Sequence, residues 1–117
     1  MRNPNNPCIF CFTKKKEYLF ENQLAYATND TYPVSKFHSL IIPKRCVKNY
    51  FDLTSKEILA CNKLIKKLKK KIEKSDKSVK GFNIGTNSGK VAGQSINHCH
   101  IHLIPRRKND VKNPQGG

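Results

Sequence analysis

The chain has 117 residues, of which 23 are Lys or Arg and 8 are Asp or Glu, for a formal charge of +15 with 37% hydrophobic residues. That length is near the commonest domain size and short for two cores, so residues 1–117 are expected to form a single domain. The apolar residues fall in periodic blocks, which excludes a disordered polyelectrolyte, and no run approaches the roughly 18 residues of a membrane span.

Residues 1–7 are polar and lack the apolar core of a secretion signal, so a cytoplasmic protein with no membrane attachment is expected. Segments 18–20 and 24–28 read as short strands joined as a hairpin through Glu21-Asn22-Gln23. A turn cluster, Asn29-Asp30-Thr31-Tyr32-Pro33, follows. Residues 37–42 (FHSLII) read as an apolar strand closed by Pro43, which cannot donate to a ladder. Thr54 and Glu57 stand at the spacing of a capping box and open a helix over 54–74. On it Ile58, Cys61, Ile65, Leu68 and Ile72 recur at spacings of three and four, with Leu64 widening the stripe. The opposite face carries Lys63, Lys66, Lys67, Lys69, Lys70 and Lys71. No aromatic residue interleaves with them for base stacking, so this reads as a solvated face and nucleic acid is not the expected partner. Residues 81–86 (GFNIGT) form the next strand, 87–95 a polar loop punctuated by glycine, and 98–104 the last strand, ending at Pro105. One or two helical segments amid mostly sequential strands indicate an α+β antiparallel sheet with helices on one face.

Five cysteines stand at 8, 11, 46, 61 and 99. Without a secretion signal a disulfide framework is the weaker reading, and metal ligation, catalysis and burial compete. Cys61, on the helix stripe, and Cys99, opposite the polar face of the last strand, are expected to be buried inert thiols. Histidines at 98, 100 and 102 project from one side of that strand, about 6–7 Å apart per step, while Cys99, Ile101 and Leu103 face the other way. Three imidazoles on one exposed face are not core packing, and a zinc site competes with a nucleophilic one. The upstream loop favours the second. Gly89 and Gly93 let backbone amides approach a phosphate, and Gln94 and Ser95 add neutral donors. Arg106 and Arg107 offer guanidinium forks just past the strand. A nucleophilic histidine beside phosphate donors indicates phosphoryl or nucleotidyl transfer. There is no phosphate-loop motif and no acidic cluster for magnesium.

The run His98-Cys99-His100-Ile101-His102-Leu103-Ile104 resembles the signature of the histidine-triad (HIT) superfamily, in which histidine alternates with apolar residues. The resemblance continues through Cys8-Ile9-Phe10-Cys11, Asp30-x-x-Pro33, His38-Ser39-Leu40-Ile41-Ile42-Pro43-Lys44 and Asn87-x-Gly89-x-x-x-Gly93-Gln94-Ser95, in the family's order. It implies a HIT-like α+β fold: an antiparallel sheet of about five strands, one long helix, a short second helix, and a homodimer with a nucleotide site in each protomer. In such proteins the residue matching His100 attacks the α-phosphorus of a nucleotide ester, anhydride or phosphoramidate, and water then releases the nucleoside monophosphate. By the same resemblance His102 contacts the α-phosphate or assists the leaving group, and Gln94 joins the catalytic set. Asn87, Gly93, Gln94 and Ser95 match the phosphate channel, Asp30 the ribose contact, and Ile9 and Phe10 the base pocket. His38 matches a site position too, with a structural strand-edge histidine as the alternative.

Pro105-Arg106-Arg107-Lys108-Asn109-Asp110 resembles the continuation seen in dinucleoside polyphosphate hydrolases of the fragile-histidine-triad type, and residues 113–117 resemble a tail of hydrolase-type members. An adenosine-type dinucleoside polyphosphate is therefore the expected substrate. A nucleoside phosphoramidase and a non-catalytic nucleotide- or nucleic-acid-binding module are the alternatives. Lys36-Phe37 precede His38 where the family commonly has Pro-Gly. Many bacterial members pair the Cys-x-x-Cys with a later ligand and the first triad histidine. Here that set is Cys8, Cys11, Cys46 and His98, for a structural zinc ion; three reduced cysteines packed together is the alternative.

Overall fold

A computed structural model describes residues 8–114; the leader expectation for 1–7 and the last three residues of the tail lie outside them. Five strands form one sheet: β1 (Tyr18–Glu21), β2 (Ala25–Asn29), β3 (Ser39–Pro43), β4 (Val79–Gly85) and β5 (Ile101–Arg107). Their order is β1-β2-β3-β5-β4 and every pairing is antiparallel, which leaves β1 and β4 at the edges. A single α-helix, α1 (Ser55–Ser75), connects β3 to β4. In place of the short second helix, the described residues hold four 3₁₀ turns, at Ile9–Phe12, Lys15–Glu17, Tyr50–Asp52 and Lys90–Ala92. Among the described residues no helix is long and apolar enough to cross a membrane.

The helix starts where the capping box places it. Thr54 Oγ1 accepts the Glu57 amide at 3.1 Å, and Glu57 Oε1 accepts the Thr54 amide at 2.9 Å. Glu57 is buried and receives a two-pronged Arg45 guanidinium at 2.7 and 3.0 Å, which holds its carboxyl below the usual range. The buried stripe runs through Ala60, Cys61, Leu64, Leu68 and Ile72, with Ile58 and Ile65 on its flank. Its centre is thus turned toward Leu64. The opposite face is lysine-rich and solvated, and part of it packs: Lys67 and Lys71 lie over the Phe20 ring, and Lys69 pairs with Glu73. Asn22 ties the β1–β2 turn to this helix, accepting the Leu24 and Ala25 amides and donating to the Ala60 carbonyl.

The two sheet faces have different tasks. Ala25, Ala27, Ile41, Ile101 and Leu103 pack under α1 as one core. Tyr26, Leu40 and Ile42 point the other way and are covered by Phe10 from the N-terminal turn. Alternation along β3 therefore buries both faces of one strand.

Strand boundaries differ from expectation: β3 begins at Ser39 rather than Phe37, and β4 at Val79 rather than Gly81. Pro43 and Pro105 lie inside β3 and β5 rather than after them. Pairing of β3 with β5 ends at Ser39 opposite Leu103, so at Pro105 the strand has only β4 beside it and a missing donor is tolerated. The strand expected over 98–104 begins only at Ile101. His98 and His100 belong to the approach to β5, held by side-chain bonds and by the Cys99 amide on the Val47 carbonyl at 2.8 Å.

Candidate active site

The three imidazoles do share a side, but it is not an exposed face. His98 is fully buried, His100 is 8% exposed, and the Phe10 ring lies against both, with centroids 5.9 and 5.1 Å away. The His100 and His102 rings are 5.3 Å apart, and His102 stands 5.1 Å from His38.

Backbone partners settle which nitrogen of each ring carries the proton. His100 Nδ1 is 2.8 Å from the His98 carbonyl, so it is the N–H and Nε2 keeps its lone pair. The His100 carbonyl is itself held by the Thr86 hydroxyl at 2.7 Å. His38 Nδ1 accepts the Val34 amide at 3.1 Å, so neutral His38 carries its proton on Nε2. That Nε2 is 2.9 Å from His102 Nδ1, which must accept, leaving the His102 proton on Nε2. An imidazole with a free lone pair on Nε2, His100, thus stands next to an N–H donor, His102. Asp30 completes the chain, with Oδ2 3.3 Å from His38 Nε2 and 3.8 Å from His102 Nδ1.

Burial pushes the pKa of both His38 and His102 down, against a weaker opposing pull from the Asp30 carboxylate. Their neutral forms are the native ones. The unfolded chain protonates near the ordinary value of 6.5, where the native chain refuses the proton. Stability from these two rings is therefore complete above about pH 6.5 and withdrawn as pH falls below it. Thermal melts at pH 7.5 and 5.5 are expected to show a lower midpoint at the acid value. A His38→Asn, His102→Asn double variant should show a smaller drop.

The loop 86–95 turns twice on glycine, with Gly89 at φ +97° and Gly93 at φ +92°. Gln94 is expected to face a phosphate, and here the structure reassigns it. Its Oε1 accepts the Gly89 amide at 2.8 Å, and its Nε2 donates to the Lys48 and Ile96 carbonyls. With both amide hydrogens taken and 7% exposure, Gln94 pins the loop instead of binding a ligand. Asn87, Gly93 and Ser95 remain on its exposed side, the Asn87 amide packed against Gly93. Gln94→Leu is expected to free both ends of the loop and raise KM severalfold with a lesser change in kcat, as steady-state kinetics would show.

The two arginines are reassigned as well. Arg107 pairs with Asp76 at 2.9 Å and donates to the Lys36 carbonyl, and Arg106 donates to Asn83 at 2.7 Å with Asp110 beside it. Asp76 is held far below the ordinary carboxylate value by Ser78 and Arg107. Arg107 is thus engaged by protein groups, whereas Arg106 Nη1 is buried without a hydrogen-bond partner among the described residues, 3.8 Å from Asp110 Oδ2. Phe37, where the sequence departs from Pro-Gly, adopts φ +71°, a conformation natural to glycine and costing other residues about 1–2 kcal/mol. Its ring packs against the helix-side core, which offsets that strain, and it delivers His38 to the site.

Two compact ligand clusters flank the triad. In the first, Cys8, Cys11, Cys46 and His98 each offer one atom, all within 4.8 Å of one another. His98 Nε2 lies 2.8 Å from the Pro43 carbonyl, so Nδ1 carries the lone pair, 3.2 and 3.5 Å from the Cys8 and Cys11 sulfurs. That is the tautomer and second-shell contact of a metal-ligating imidazole, and three sulfurs with one nitrogen suit zinc. Burial, then Cys46 and Cys8 beside it, push the Cys11 thiol to about 12, a shift that a divalent cation would reverse. The second cluster, Asp30, His38 and His102, is as compact, but His38 must protonate the nitrogen it would ligate with. It is built to hold a proton. Cys61 and Cys99 are buried elsewhere, with thiols pushed to about 12 and about 11, as expected of inert core cysteines.

Ile9 and Phe10, expected to form a base pocket, border a cavity of about 290 Å³ with Leu40 and Thr28. Thr28 pairs with Leu40, and Leu40 with His102, in adjacent strands. The cavity and the imidazoles thus lie along one row of the sheet.

The description "HIT domain" matches residues 12–109. An uncharacterized HIT-like protein of Methanocaldococcus jannaschii is 37% identical over 108 residues, 88% of this chain and 81% of that protein. The adenosine 5'-monophosphoramidase of Saccharomyces cerevisiae is 34% identical, over 86% of this chain and 63% of its own length. The asymmetrical bis(5'-nucleosyl)-tetraphosphatase of Schizosaccharomyces pombe is 34% identical over 85% and 54%. Among solved structures, a HIT family protein from Bacillus anthracis superposes with a TM-score of 0.82 at 32% identity, covering 90% of this chain and 77% of that one. A zinc-bound histidine triad family protein from Mycobacterium smegmatis superposes with a TM-score of 0.79 at 26% identity, covering 89% and 78%.

Proposed function

The chain belongs to the HIT domain family, and from that premise we propose that it is a nucleotide hydrolase working through a nucleotidyl-histidine on His100. One observation carries the reading: the His98 carbonyl takes the Nδ1 proton of His100 and leaves Nε2 as a lone pair beside the His102 donor. His100 Nε2 attacks the α-phosphorus, a P–N bond forms, and the bond to the leaving group breaks. The His102 Nε2 proton goes to the departing atom. Water then attacks the phosphorus, its proton replaces the one that His102 Nε2 gave up, the P–N bond breaks, and a nucleoside monophosphate leaves. His38, fixed by the Val34 amide, positions the His102 proton, and Asp30 is shared between this chain and a ribose hydroxyl. Ile9 and Phe10 hold the base, and Asn87, Gly93 and Ser95 line the phosphate path.

Dinucleoside polyphosphates are the substrates of this reading. A nucleoside phosphoramidase is the second, favoured because Arg107 is committed to Asp76 rather than to an extended phosphate chain. Incubation with diadenosine tetraphosphate and with adenosine 5'-phosphoramidate, followed by product separation, tests both. AMP from either supports attack at the α-phosphorus, with the faster substrate naming the leaving group. Symmetrical ADP from the tetraphosphate, or no AMP from either, would overturn it.

Cys8, Cys11, Cys46 and His98 would hold a zinc ion, which supplies a tether for the N-terminal turn and no step of the reaction. A cytoplasmic homodimer goes with this reading. It is supported by edge strand β4 and an apolar groove of about 260 Å³ between β4 and α1, where Leu59 and Ile84 are 60% and 58% exposed. Light scattering is expected to give twice the chain mass, and Ile84→Glu half of that.

A further inference from the structure

We infer that the nucleoside pocket reads the hydrogen-bonding edge of its base through Glu17 and favours guanine over adenine, which rests on the nucleotide-hydrolase reading above. The cavity of about 290 Å³ has apolar walls in Ile9, Phe10 and Leu40, and polar ones in Lys14, Asn29, Thr31 and the exposed Glu17. Its Thr28 wall lies two strands from His102, the donor beside His100, since Thr28, Leu40 and His102 are successive partners across β2, β3 and β5. Two strand spacings are about 10 Å, the reach of a nucleoside from its α-phosphorus to the far edge of its base.

Glu17 is placed there by backbone and left open at its side chain. Its amide bonds to the Lys14 carbonyl at 2.9 Å, and its carbonyl accepts the Thr28 hydroxyl at 3.0 Å, so the turn is fixed to the pocket wall. The chain holds 8 carboxylates in a field of +15. The other seven each hold a cation, an imidazole or a backbone amide. Glu17 follows three lysines and yet has no ion pair or side-chain hydrogen bond among the described residues. A free carboxylate in so basic a chain is placed for a ligand that offers donors.

An ionised carboxylate has two acceptors and no donor. Guanine offers two parallel donors on its Watson–Crick edge, N1–H and the N2 amino group, which match both oxygens at once. Adenine and cytosine offer one amino donor next to a ring lone pair, which a carboxylate repels, and uracil one donor between two carbonyls. The apolar walls contact either purine alike, so discrimination falls to the edge. The inference thus sets guanosine against the adenosine-type substrate that the resemblance implies.

The test measures kcat/KM for diguanosine and diadenosine tetraphosphates, and the affinities of GMP and AMP by calorimetry, in the wild type and in Glu17→Gln. The wild type is expected to prefer guanine about tenfold in both. Glu17→Gln offers one acceptor and one donor, the match for adenine, and is expected to erase or reverse the preference. Equal values for the two bases in the wild type, or a preference unchanged in Glu17→Gln, overturns the inference while leaving the hydrolase reading intact. If neither tetraphosphate is cleaved, it is the hydrolase reading that fails, and the GMP and AMP affinities decide the base by the same criterion.

Discussion

Replacing His100 with alanine is expected to lower kcat/KM by about a thousandfold or more, with no nucleotidyl-protein formed in a rapid acid quench. The magnitude follows from the role. A residue that forms the covalent intermediate has no substitute in the site, because the neighbouring His102 has its lone pair turned to His38. His102→Ala removes a proton donor and is expected to lose about a hundredfold, with a smaller loss for substrates whose leaving group needs no proton. Thus the two variants separate nucleophile from acid. Because His100 packs on Phe10, melting temperatures must accompany the kinetics. A folded His100→Ala protein that still forms the adduct, or that keeps its activity, would sink the assignment.

The order of these roles depends on contacts that no local pattern in the chain displays. The His-x-His-x-His run was legible because alternation alone brings the rings to one side, and the ring contacts bear that out. The helix was legible for the same kind of reason. A threonine three residues before a glutamate, followed by an apolar stripe, depends on nothing outside the segment. What alternation could not reveal is that the N-terminal turn folds Phe10 over the imidazoles, or that strand pairing begins only at Ile101. Gln94 and Arg107 were misread for a related cause. Each has the right chemistry for phosphate, but each found protein partners distant in sequence, the Lys48 carbonyl and Asp76. Glu17 was passed over because a glutamate after three lysines looks like a solvated charge, and only the pairing of every other carboxylate isolates it.

Phe10 joins the two halves of the site. It lies between Cys8 and Cys11 in sequence and between the metal-type cluster and the base cavity in space, and its ring touches both His98 and His100. The turn Ile9–Phe12 has no side-chain cap, so little in its own residues holds it down. Tyr26 contributes one tether, donating its hydroxyl to the Phe10 carbonyl at 2.6 Å. A metal held by Cys8, Cys11, Cys46 and His98 would add another, beside the packing of Phe10 on Tyr26 and Leu40.

Loss of that anchor is therefore expected to be felt in stability and in catalysis together. Protein purified without chelator should carry about one zinc per chain by elemental analysis, and less than a tenth of an equivalent would refute the site. Cys11→Ser should lose the metal and about 3 kcal/mol or more of stability, read as a lower melting temperature and denaturant midpoint. Its KM should rise more than its kcat falls, because the Ile9–Phe12 turn forms one wall of the base cavity while the imidazoles keep their own backbone partners. Three further variants separate metal loss from simple damage to packing. Cys61→Ala removes a buried thiol under α1, far from the cluster, and should lower stability while leaving the zinc in place. Cys46→His replaces one competent ligand by another at an exposed position and should retain the metal, whereas Cys46→Ser should not. If Cys11→Ser and Cys46→Ser both kept their zinc, the tether would have to lie elsewhere, and the Tyr26 hydroxyl and the Phe10 packing would be left as the hold on the turn.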